Sequence, residues 1–117
     1  MNSQKMMEIA VKAADAKRAN DIVVLNMSQA SLLADYFVIA SADNQRQLAA
    51  IVDNIVEQEE NAQVSVNHLE GQKDSNWILV DLNDVVVHVF TNEARDFYKL
   101  EKLWSNAPLI DVTTLLS

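Results

Sequence analysis

The 117-residue chain is half apolar, holds one glycine, one proline and no cysteine, and carries a formal charge of −8. Such a composition sustains one folded domain without metal or disulfide support, and the lack of cysteine excludes thiolate metal sites and a cysteine nucleophile. The negative charge opposes direct contact with nucleic-acid phosphates or anionic lipid, so no sequence-specific nucleic-acid binding and no membrane partner are expected.

The charged N-terminal stretch, with Lys5, Glu8, Lys12 and Asp15, leaves no apolar core for a signal peptide, and a cytoplasmic location is expected. Residues 1–117 read as a single domain without a linker, its ends at 1–5 and 108–117 free to fray. A first helix is predicted over residues 3–19, with Met6, Ile9, Ala13 and Ala16 as its apolar stripe. "DIVVLNM" and "ADYFVIASA" are β-branched runs and predict two strands, with "SQASLL" between them a loop or one helical turn. A second helix follows over residues 44–61, capped by Asp43 or Asn44, with Leu48, Ile51, Val52, Ile55 and Val56 on its buried face. Its "EQEE" run is read as solvated, although it opposes the helix dipole.

"QVSVNHLEG" begins like a strand and ends at the only glycine, Gly71, before the polar loop "QKDSN". Two more strands flank a turn at Asn83-Asp84. That turn sets Leu82 against Val85, Val80 against Val87 and Ile78 against Val89 on one face. On the other face Asp81 meets Val86, Leu79 meets His88 and Trp77 meets Phe90. Asp81 and His88 then share a face as diagonal neighbours, too few and too far apart for a metal cage even with His68 nearby. A histidine with its polar tip satisfied is the expected reading. The last helix spans "NEARDFYKLEKLWSNA", capped by Thr91 or Asn92, with Phe97, Leu100, Leu103 and Trp104 as its stripe and Pro108 as its stop. The apolar tail after it docks as a strand, meets a partner or frays.

The order α-β-β-α-β-β-β-α predicts an α/β fold, a single mixed five-stranded sheet with helices on its faces. One glycine makes no phosphate-cradling loop, and neither a cofactor nor a metal site is expected.

"SLLADYFVIASADNQRQLAAI", "HLEG", "WILVDLNDVVVHVF" and "RDFYKLEKLW" resemble, in order and spacing, the blocks of the ribosomal silencing factor family, RsfS or Iojap. The likeness covers Ser31 to Trp104 and extends to about Met6. It implies a nucleotidyltransferase-like topology and a non-enzymatic role in a bacterial cytoplasm. The implied partner is the large ribosomal subunit, met through large-subunit ribosomal protein fourteen on the intersubunit face. There the factor blocks joining of the small subunit and represses translation when nutrients are short, and relatives are linked to large-subunit maturation.

Residues in the matching blocks implied as partner-binding are Glu70, Trp77, Tyr98, Lys99, Glu101 and Lys102, with Tyr98 and Lys102 one helical turn apart. Trp77 can equally pack on Phe90 as core, and Leu82 is more readily core than contact. Asn83 and Ala42 stand where the family pattern usually has glycine and a small residue or glycine. The alternative is a nucleotidyltransferase-like enzyme or nucleotide-binding protein. Against it, "ASADNQ" lacks Gly-Ser, and Asp81 and Asp84 are three residues apart. A homodimer that hides the docking face is left open.

Overall fold

A computed structural model describes residues 2–71 and 75–116. Part of the expected 72–76 loop lies outside the described residues. Helix α1 (Ser3–Ala16) begins at Asn2, whose side chain accepts from the Lys5 N–H. Its buried face is Met7, Ala10, Val11, Ala13 and Ala14. That is a stripe rotated from the predicted one, leaving Ala16 exposed. Helix α2 (Gln45–Asn61) is capped by Asn44. Asp43, the other candidate cap, instead accepts from the side-chain amides of Asn20 and Asn92.

The sheet contains β1 (Asn20–Asn26), β2 (Tyr36–Ala42), β3 (His68–Glu70), β4 (Trp77–Asp81), β5 (Val85–Thr91) and β6 (Leu109–Ile110), in the order β3-β4-β5-β2-β1-β6. Among the described residues six strands replace the expected five, because Leu109 and Ile110 after Pro108 pair antiparallel with Leu25 and Val24. The two residues of β6 are too short to show alternation in the sequence. β2 and β5 run parallel at the centre and the other pairs are antiparallel. The β4–β5 register is the predicted one, from Trp77↔Phe90 to Asp81↔Val86.

Strand alternation gives the sheet two different faces. One carries Val24, Val38, Ile78, Val80, Val87 and Val89 against α1 and α2 and forms the larger core, into which Leu82 also packs, fully buried. The other carries Leu25, Phe37, Ile39, Trp77 and Phe90. Its cover is slight: α3 (Asn92–Tyr98), α4 (Leu100–Leu103) and the chain around Trp104 and Ala107. The predicted single last helix is broken at Lys99, which takes a left-handed φ of 51°. The break leaves Phe97 79% and Leu103 72% exposed, so only Leu100 and Trp104 of the predicted stripe pack inward. A four-residue helix, α5 (Thr113–Leu116), follows β6.

Candidate functional site

The thinly covered face is built around Trp77, which opens β4 directly opposite Phe90. Its indole stacks on the Phe90 ring with centroids 4.8 Å apart, and Tyr98 lies 5.0 Å away on the same aromatic cluster. The indole Nε1–H donates to His88 Nδ1 at 3.2 Å. Trp77 is therefore half-buried, part core and part surface. Tyr98 is half exposed, and Phe97 meets it edge-on at 5.1 Å.

Burial pushes the His88 imidazole down to a pKa of about 4, so the ring is neutral in ordinary buffers. Among the described residues only one of its nitrogens is satisfied, since Nε2 has no partner there; the expectation of a satisfied histidine holds for half the ring. Asp81 is the last residue of β4, its Oδ1 accepting from the Asn83 N–H of the turn. Asp81 and His88 line one groove without bonding to each other. Among the described residues, no group of three or more histidine or acidic side chains is placed to hold a metal ion.

The other expected docking residues divide between the groove that His88 lines and a separate cleft. Glu70 sits on the edge strand β3, paired with His68 at 3.0 Å. Lys99, Glu101 and Lys102 border a separate open cleft of about 860 Å³, beside Asn20 and Asp21. Because the helix breaks at Lys99, Tyr98 and Lys102 do not lie on one continuous turn. Glu101 is held by Arg95, whose Nη2 reaches its carboxylate at 2.6 Å. Sequence reasoning missed Arg95, which also donates to the Asn20 carbonyl and Ser41 Oγ and so ties β1 and β2 to α3. It also missed Leu32 and Leu33, fully or largely exposed in the loop before β2.

The model of the family described as ribosomal silencing factor during starvation matches residues 1–117. The chain belongs to the ribosomal silencing factor family. It is 46% identical over 112 residues to the ribosomal silencing factor RsfS of Bacillus subtilis, covering 96% of this chain and 95% of that one. A crystal structure of a Chromobacterium violaceum protein superposes with a TM-score of 0.87 at 32% identity, over 90% of this chain and 88% of the other. A mouse protein named for mitochondrial assembly of the ribosomal large subunit is 33% identical over 92 residues, 76% of this chain and 40% of its own length. Silencing-factor membership thus takes in the blocks that carry Trp77, Tyr98 and Lys102.

Proposed function

We propose that this silencing-factor domain docks on the large ribosomal subunit through large-subunit ribosomal protein fourteen and bars the small subunit by occupying space. The observation that carries the reading is the pair Phe97 and Tyr98, in contact and exposed beside Trp77, with Leu103, Leu32 and Leu33 also exposed on an otherwise acidic domain. Exposed large apolar side chains that touch one another mark interaction sites, and an acidic domain is steered to basic protein rather than to RNA. The half-exposed Tyr98 beside Trp77, with Lys99 and Lys102 at the neighbouring cleft, supplies aromatic contacts next to charge, and Glu70 supplies a carboxylate on the far rim. Glu101 acts through the position of Arg95.

In this reading the domain works in the cytoplasm, carries the nucleotidyltransferase-like topology without its chemistry, and represses translation under nutrient limitation. A part in large-subunit maturation accords with the name of the mouse relative. Co-sedimentation with isolated large subunits tests it. The unchanged protein should pellet with them and Tyr98→Ala should pellet at least tenfold less, with native circular dichroism. Equal pelleting of the two proteins, or none of either, refutes the docking assignment.

A further inference from the structure

The His88 ring supplies a donor that nothing among the described residues uses. An indole N–H only donates, so the His88 Nδ1 that accepts from Trp77 must carry a lone pair. The neutral ring then has its proton on Nε2, and that N–H is buried and unpartnered among the described residues. An orphaned buried donor is uncommon in folded proteins and marks a place where an acceptor belongs. His88 is only 5% exposed and lines a groove of about 480 Å³ together with Phe37, Leu79, Val86 and Trp104. Phe37 closes on the imidazole edge-on at 5.0 Å. The rim of the groove carries two carboxylates, Glu70 and Asp81, and the exposed Leu33.

We infer that this groove receives one apolar side chain of a lysine- or arginine-rich protein segment, whose main-chain carbonyl accepts from His88 Nε2–H. The inference rests on the docking reading above and adds the chemistry of the contact. The apolar walls select the side chain, and the carboxylate rim on a domain of charge −8 selects the basic flanks. A carboxylate ligand would meet Glu70 and Asp81 as like charges, which leaves a neutral carbonyl as the fitting acceptor. Nε2 exposes less than 1 Å², so the acceptor reaches it as a half-buried wall side chain changes rotamer, an ordinary event at interfaces.

Asparagine separates the two ends of the ring. In His88→Asn the side-chain oxygen stands near the Nδ1 position and keeps the acceptor for Trp77, while the Nε2 donor is lost. Isolated large-subunit ribosomal protein fourteen is the probe, titrated into the full chain. His88→Asn should bind about tenfold more weakly, with its unfolding midpoint and tryptophan emission close to those of the unchanged protein. Val86→Lys, which places a cation in the groove, should weaken binding by more than tenfold and decides the matter if the asparagine variant fails to fold. In the unchanged protein the Nε2–H proton resonance should move downfield on binding. If Tyr98→Ala loses binding while His88→Asn or Val86→Lys keeps it, the groove inference falls and the docking reading stands. No binding by the unchanged protein overturns both.

Discussion

Replacing Glu59 with glutamine should change how the stability of this domain depends on pH. Glu59 lies in the "EQEE" run, yet it is fully buried and neither carboxylate oxygen has a partner among the described residues. Burial raises its pKa from 4.5 to about 8, so the folded protein keeps a proton there that the unfolded chain sheds. A raised pKa gives stability that is complete below 4.5 and drains as pH rises to about 8. At pH 7 the proton held 2.5 units above its unfolded pKa costs roughly 3 kcal/mol, at 1.36 kcal/mol per unit. His88 runs the other way. Its pKa is lowered from 6.5 to about 4, so its contribution is complete above 6.5 and is lost as pH falls towards 4.

The two slopes cancel between about 4.5 and 6.5, and the Glu59 slope stands alone from 6.5 to 8. Urea unfolding of the unchanged protein should therefore be level across the lower window and fall by about 2 kcal/mol across the upper one. Glu59→Gln should be level from pH 6.5 to 8 and should lose stability only below 6.5, where His88 acts alone. A level curve for the unchanged protein above 6.5, or a variant that still declines there, would refute the reasoning.

Gly71→Ala should cost at least about 2 kcal/mol in chemical denaturation, because φ is +109° and a Cβ would stand 2.7 Å from the Trp77 carbonyl oxygen. Asn83→Gly should stabilise by about 1 kcal/mol in the same measurement, since Asn83 holds a φ of 74° at the hairpin turn. Trp77→Phe keeps a ring for Phe90 but leaves both His88 nitrogens unpartnered; it should cost about 1–2 kcal/mol and let the imidazole exchange tautomers by nitrogen-15 NMR.

The hairpin register was legible because setting Asn83 and Asp84 at the turn fixes every opposed pair, and each pair from Trp77–Phe90 to Asp81–Val86 forms as read. Only Asn83 of the turn takes a positive φ, with the Asp84 N–H returning to the Leu82 carbonyl. The break at Lys99 was not legible: "DFYKLEKL" suits an unbroken helix, and lysine is no usual left-handed residue. Glu59 was legible in principle. It lies four residues after Ile55 and seven after Val52, on the buried face, but composition suggested a solvated run. Likewise, "QVSVNHLEG" forms its strand at His68–Glu70 rather than at its β-branched start, because Val64 is drawn into the core and leaves the ladder. Of the docking residues, the pairing of Trp77 with Phe90 followed from register, whereas the placing of Tyr98 and Lys102 on different helices depends on the unforeseen break.

Light scattering of mixed ribosomal subunits tests steric silencing most directly. Pre-binding the unchanged protein to large subunits should suppress the rise that accompanies joining, in proportion to occupancy, while Tyr98→Ala at equal concentration should leave the rise intact. Joining that proceeds at full amplitude on large subunits saturated with the unchanged protein would contradict the account.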